Sequence, residues 1–188
     1  MRSKRLFDLT IIIISLPISL SIGIFIAILV KITSKGDIIF WSERVGLNRK
    51  TFMMPKFRTM SAEAPNIATH LMDNPTLFYT PIAKILRSSS LDELPQLWSI
   101  LTGKMTFVGP RPALYNQYDL IQLREERGLN QLVPGLTGWA QINGRDENSI
   151  LEKVVLDEFH LKDKSLLSDI YILFHTFVKV LKKDNISH

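Results

Sequence analysis

Apolar residues fall into three registers along the chain, and each register predicts a different kind of element. From Leu9 to Val30 there are 22 consecutive residues without a charge, long enough for a membrane helix. Basic residues flank both ends of the run (Arg2, Lys4 and Arg5 before it, Lys31 and Lys35 after it), so it carries no charge asymmetry to orient a span. Pro17 lies near its middle among Ser15, Ser19, Ser21 and Gly23. The pattern predicts a helix kinked at Pro17, with hydroxyls meeting freed carbonyls. Two arms of about 11 residues each reach only ~16 Å, so the expectation is a re-entrant hairpin that returns both ends to one side.

Shorter apolar runs follow. Ile38–Trp41 and Thr51–Phe57 read as strands of a hairpin turning at Gly46-Leu47-Asn48. Residues 61–79, with Pro65 and Pro75, read as a loop with a short helix, and Thr80–Leu86 as a helix. Leu94–Leu101 has helical spacing and stops at Gly103, and Met105–Val108 is a buried strand. A polar helix spans Ala113–Arg127, and Val133–Arg145 is a loop-strand-loop whose Gly135, Gly138 and Gly144 permit tight turns or close approach of a ligand. Two helices close the chain, Ser149–Lys162 behind a Ser149/Glu152 capping box and Leu166 to Lys183, the latter apolar enough for a membrane interface. The fold class is α+β and mostly helical. Residues 1–34 form a membrane anchor, and residues 35–188 form one cytoplasmic unit lying on the membrane.

Charge sharpens this picture. The chain carries 23 Lys plus Arg against 18 Asp plus Glu, but residues 1–60 hold ten bases and three acids, a balance of +7 that leaves −2 for the remainder. A basic region bracketing an apolar run favours an anionic membrane face over nucleic acid. With no cysteine there is no disulfide framework or thiolate chemistry. His70, His160, His175 and His188 have no partner at metal-ligand spacing, and neither G-x-G-x-x-G nor a Walker sequence occurs.

The densest candidate chemistry lies in Arg87–Pro112, RSSSLDELPQLWSILTGKMTFVGPRP. Asp92 and Glu93 are adjacent, Arg87 precedes them, and Arg111 sits between two prolines that hold it extended. On spacing alone, helix capping by Ser90 with Glu93 is the commoner role for such a pair. The chemical alternative is a carboxylate nucleophile toward phosphorus, with arginines offsetting the repulsion between anions.

SSSLDELPQLWSILTGKMTFVGPRPAL, with KFRTM before it and PGLTGWAQINGR after it, resembles the bacterial monotopic phosphoglycosyl transferases, and the similarity runs from KRLFDL to FVKVLKK. The resemblance implies transfer of a sugar 1-phosphate from a UDP-sugar to undecaprenyl phosphate, with UMP released, Mg2+ as cofactor and a covalent aspartyl intermediate. Asp92 would be the nucleophile, and Glu93 would hold magnesium with Asp92. Arg87, Arg111, Lys56, Arg58 and Arg145 would contact phosphate, and Trp139 is a candidate to stack on uracil, although a core tryptophan is commoner. The family's Ser-Pro break aligns with Leu20-Ser21, whereas this chain has Pro17 about one turn earlier. The resemblance further implies a monotopic enzyme on the cytoplasmic face of the bacterial inner membrane, supplying downstream glycosyltransferases of a capsule, lipopolysaccharide, exopolysaccharide or glycoprotein glycan pathway. The compact chain favours an N-acetylated amino sugar, and a homodimer is one arrangement of an open oligomeric state. The competing readings are a membrane adaptor that binds anionic lipid or a partner protein, and a glycosyl transferase with acid-any-acid spacing. Residues 92 and 93 lack that spacing.

Overall fold

A computed structural model describes residues 2–65, 72–144 and 148–182. Helix α1 (Arg2–Thr33) runs without interruption through Pro17. Its four buried residues form two i,i+4 pairs, Asp8 with Ile12 before the proline and Ile26 with Val30 after it, while Ile13, Ile14, Leu16, Ile18 and Leu20 between them are exposed. Both ends therefore pack on the same body, and the apolar middle stands clear of it. The helix is long and apolar enough to cross a membrane by length and composition. The helical backbone continues across Pro17, so the two expected arms belong to one helix. Proline lacks one N–H and its ring crowds the carbonyl four residues back, yet the residues on either side stay helical. The serine hydroxyls also go elsewhere than expected: Ser15, Ser19 and Ser21 donate to the carbonyls of Ile12, Leu16 and Pro17.

Strands β1 (Ile39–Val45) and β2 (Thr51–Phe57) pair antiparallel, Ile39 opposite Phe57 and Val45 opposite Thr51. β1 extends four residues past its expected end. The turn uses Asn48 and Arg49 at positive φ of 51° and 63°. Phe52, Met54 and Phe57 of β2 are buried. Helix α2 (Ala83–Ser88) follows a loop, then a 3-10 turn (Leu91–Gln96) leads into α3 (Leu97–Leu101). Strands β3 (Thr106–Val108) and β4 (Gly135–Thr137) pair in parallel, as short segments buried at the centre. Between them lies α4 (Tyr118–Glu126), and after them α5 (Trp139–Ile142), α6 (Ile150–Lys162) and α7 (Leu166–Lys182). The capping box of α6 is formed as expected: Ser149 Oγ accepts from Glu152 N, and Glu152 Oε2 accepts from Ser149 N.

The main core gathers Ile12 of α1, Phe52 and Met54 of β2, Ile100, Met105, Phe107, Val108, Ile142 and Ile172. A second cluster joins Ile26 and Val30 of α1 to Phe57 and Leu86. The apolar helix is thus part of both cores. Polar contacts fix its first turns: Asp8 accepts from the Thr106 hydroxyl at 2.7 Å and from Phe107 N at 3.2 Å. Arg5 donates to the Ile100 and Leu101 carbonyls that end α3, and Lys4 pairs with Asp169 of α7.

The glycines of the 133–145 segment answer a packing need. A Cβ on Gly135 would collide with Gly109 N, and one on Gly138 would collide with Gly109 O. The close approach that Gly135 and Gly138 permit is between backbone segments where β4 passes the end of β3.

Candidate active site

The paired carboxylates belong to the 3-10 turn after α2. Ser90 adopts a left-handed conformation (φ 56°) and its side chain makes no cap bond, so the expected Ser90/Glu93 capping box does not form. The reason is competition. Glu93 Oε1 accepts from Lys56 Nζ of β2 at 2.8 Å and from Arg111 Nη2 at 2.7 Å, and charge-assisted bonds to two cations exceed a single backbone amide. Asp92 and Glu93 are 7% and 8% exposed, so their charge states depend on these neighbours.

The two carboxylates are treated unequally. Burial would raise Glu93, but Arg111 and Lys56 outweigh it and hold its carboxyl well below the ordinary 4.5. For Asp92, burial wins. Its carboxyl lies above the ordinary 3.8, with Lys56 opposing the shift and the Glu93 charge adding to it. Lys56 Nζ stands 3.9 Å from Asp92 Oδ2, beyond hydrogen-bond length. Lys56 is itself lowered, by burial first. Arg87 acts on Asp92 from α2, with its guanidinium 4.9 Å from the Tyr79 ring centroid.

Arg111 is aimed by a clamped backbone. The carbonyl of Pro110 accepts from Gly135 N, that of Arg111 from Arg124 Nη1, that of Pro112 from Arg44 Nη1, and that of Ala113 from Val45 N. Four consecutive carbonyls are tied to β4, α4 and β1, beyond the stiffness that flanking prolines give. Arg124 is in turn held by the buried Asp157 of α6 at 2.7 Å.

Two further site residues lacked a clear sequence signal. Arg44, on β1, is lowered to about 10 by burial and then by Arg111, with Glu93 opposing. It adds a cation beside the pair, and its signal would have been its place in a strand opposite Phe52. Gln141, on α5, lines a cavity together with Glu93 and Arg111, and both of its amide atoms are buried without a hydrogen-bond partner. Gln141 brings the GWAQINGR segment to the site; Trp139, named for stacking on uracil, instead packs on Phe159 (5.0 Å) and Tyr171 (6.1 Å) of α6 and α7. Arg58 donates to the Asp37 carbonyl and is not among the cations acting on either carboxylate. Arg145, His70 and His188 lie outside the described residues.

Among the described residues no group of three or more His, Cys, Asp or Glu side chains converges on one point. Among the described residues the site therefore offers a divalent cation the two carboxylates of Asp92 and Glu93. That suits a magnesium ion whose remaining ligands are water and substrate phosphate, and not a protein-enclosed metal. Lys56, Arg111, Arg87 and Arg44 surround the acids, and cations of this kind are able to bind phosphate.

Comparison with known proteins agrees with this geometry. Residues 1–183 match the family described as bacterial sugar transferase. The chain is 38% identical over 183 residues to the uncharacterized sugar transferase EpsL of Bacillus subtilis, covering 97% of this chain and 89% of that protein. It is 35% identical to the exopolysaccharide production protein ExoY of Sinorhizobium fredii, with 95% and 85% covered. It is also 41% identical over 162 residues to the UDP-glucose:undecaprenyl-phosphate glucose-1-phosphate transferase of Escherichia coli, covering 82% of this chain and 35% of that longer protein.

Proposed function

Because this chain belongs to the bacterial sugar transferase family, we propose that it moves a sugar 1-phosphate from a UDP-sugar to undecaprenyl phosphate, with Asp92 as the nucleophile. The observation that carries this reading is the split between the two acids. Glu93 is held at one carboxylate oxygen by two cations, whereas Asp92 is not held at hydrogen-bond distance by Lys56 and is raised by burial. A nucleophile of that kind needs to be poised, and a neighbour of opposite tuning supplies the fixed charge pattern.

In the first step an Asp92 carboxylate oxygen attacks the β-phosphorus of the UDP-sugar. The bond from that phosphorus to the bridging oxygen breaks, UMP leaves with the electron pair, and a sugar-phosphoryl aspartate remains. In the second step a phosphate oxygen of undecaprenyl phosphate attacks the same phosphorus. The Asp92 carboxylate is regenerated and the lipid diphosphate sugar departs. Arg111 and Lys56, pre-oriented by Glu93, and Arg87 meet the charge that develops on the transferring oxygens. Asp92 and Glu93 would hold Mg2+, which when bound offsets the charge of the diphosphate.

We place the protein on the cytoplasmic side of the inner membrane, and the α1 geometry supports the monotopic part of that placement. Residues on both sides of Pro17 pack on one body, so a helix crossing fully would drag part of that body into lipid. For the sugar, the compact chain led to the expectation of an N-acetylated amino sugar. The names of the relatives speak for glucose and, in a Streptococcus agalactiae relative 34% identical, galactose, so a UDP-hexose is the first substrate to test. A non-catalytic adaptor would have no need to bury two acids among cations.

The test is UMP release from purified protein in detergent or nanodiscs, with a panel of UDP-hexoses and UDP-N-acetylhexosamines. With UDP-sugar alone the expected result is a burst of at most one equivalent of UMP per site, absent in Asp92→Asn. Product formation from both substrates without any burst sinks the covalent route.

A further inference from the structure

We propose that the apolar cavity beside the carboxylates receives the isoprenoid tail of the lipid acceptor, an inference that rests on the transfer reaction proposed above. The cavity measures about 450 Å3, within the ~300–1,000 Å3 usual for small-ligand sites. It shares Glu93 and Arg111 with the dyad. Its walls are otherwise largely hydrocarbon: Leu94, Leu97, Phe107 and Leu136 on one side, Leu173 and Val180 of α7 on the other.

Helix α7 links this cavity to the membrane. Leu173, Thr176, Phe177 and Val180 form one stripe along the cavity, at i, i+3, i+4 and i+7. Leu167, Ile170, Phe174, Phe177 and Leu181 form a neighbouring stripe, and all five are exposed. Phe177 belongs to both, at 62% exposed. The cavity wall is therefore continuous with an apolar surface of the kind that water-soluble proteins rarely present. The exposed isoleucines of α1 provide a second such surface on the same body.

The polar groups of the cavity fit a phosphate head better than a sugar. The Thr137 and Thr176 hydroxyls are bonded to each other at 2.7 Å, and Thr176 also to the Ile172 carbonyl. That leaves few groups to read sugar hydroxyls. Gln141 lines the cavity together with Arg111, and its buried amide has no hydrogen-bond partner, so a turn of its side chain would bring N–H donors to a phosphate oxygen. An unsatisfied buried amide is costly, and the lipid head would relieve it. In this arrangement the head rests by Arg111 and Gln141, and the first isoprene units lie between α7 and the β3–β4 pair.

The test compares two acceptors, undecaprenyl phosphate and geranyl phosphate, in wild type and in Leu136→Trp and Val180→Trp. Each variant fills the cavity with bulk. The expected result is a roughly tenfold or greater rise in KM for undecaprenyl phosphate, since each buried methylene is worth about a fourfold change, with a comparable rise for geranyl phosphate, whose two isoprene units would occupy the same cavity. The KM for UDP-sugar and the UMP burst should stay unchanged, and the burst also reports that the variants fold. A raised KM for UDP-sugar would assign the cavity to the donor and overturn the proposal, as would unchanged kinetics for both substrates. In wild type, an undecaprenyl phosphate carrying a photoreactive group on its first isoprene units should label peptides of α7 or β4. Labelling confined to other segments overturns the placement. This arm needs no turnover, so it separates failure of the cavity assignment from failure of the transfer reaction.

Discussion

Removing one negative charge from each acid in turn should have opposite effects on stability. In Glu93→Gln, Lys56 and Arg111 lose the oxygen that both of them contact, at 2.8 and 2.7 Å, while Arg44 remains nearby. Breaking one side of a buried ion pair costs about 3–5 kcal/mol, and the low end applies because Arg111 is partly open to water. At about 2–4 °C per kcal/mol for a chain of this size, the melting temperature should fall by roughly 6–12 °C. In Asp92→Asn, a carboxylate whose burial is only partly compensated becomes neutral. That change should leave stability equal to wild type or raise it by ~1 kcal/mol. The sign follows from linkage. Glu93 has a depressed pKa, so its contribution is full above its unfolded value near 4.5 and is lost as pH falls below that toward the folded value. The melting difference between wild type and Glu93→Gln should therefore shrink at acid pH. Thermal unfolding in detergent, followed by circular dichroism, measures all three proteins. A Lys56→Met partner mutation should recover part of the Glu93→Gln loss, as coupled residues do. Equal melting of wild type and Glu93→Gln at neutral pH, or a large drop in Asp92→Asn, would refute the unequal electrostatics and with them the case for Asp92.

Three other expectations are open to direct measurement. The rate of the UMP burst should rise with pH along a limb lying above the ordinary 3.8 of an aspartate, because Asp92 must ionise to attack and its pKa is raised; a limb at or below that value removes the argument. Single cysteines at Ser3 and Ser34 in this cysteine-free chain should label from the same side of a sealed vesicle, and labelling from opposite sides would establish a full crossing. Gly135→Ala should abolish folding or leave the protein in aggregates, because its Cβ would meet the backbone of Gly109; a soluble, active variant would show that the strand crossing can relax.

The elements that could be read from sequence were those set by local chemistry. Strand β2, the α6 capping box and the apolar first helix depend on residues within a few positions of one another, and all three are present. The acidic pair and Arg111 could be singled out because unusual residues stand together or between prolines. What local spacing misjudged was decided by distant partners. Glu93 abandons a cap three residues away for Lys56 and Arg111, 37 and 18 positions off. Trp139 turns to Phe159 and Tyr171 because α6 and α7 cover it, and its neighbour Gln141 takes the place by the site. Arg44 gives no local cue, since a strand arginine is ordinarily solvated and only the clamp at Pro112 brings it inward. The glycines of the β4 segment read as candidates for a ligand contact because sequence cannot reveal which backbone passes over them.

The ties at the start of α1 also constrain how the enzyme can be made. Lys4 pairs with Asp169, 165 positions away, and Asp8 holds the amide of Phe107. On the ribosome the first helix emerges long before either partner exists. The helix must therefore wait without these partners of Asp8 until the interior strand arrives, and its register against α7 is set only when synthesis is nearly finished. Cutting the anchor off would strand the Phe107 amide and the Thr106 hydroxyl in a buried place, at about 1–3 kcal/mol each. It would also take Ile12 and Ile26 out of both cores. A water-soluble version of this enzyme is thus not a matter of truncation: replacing α1 means supplying a helix that presents an aspartate and the same apolar pairs at its two ends.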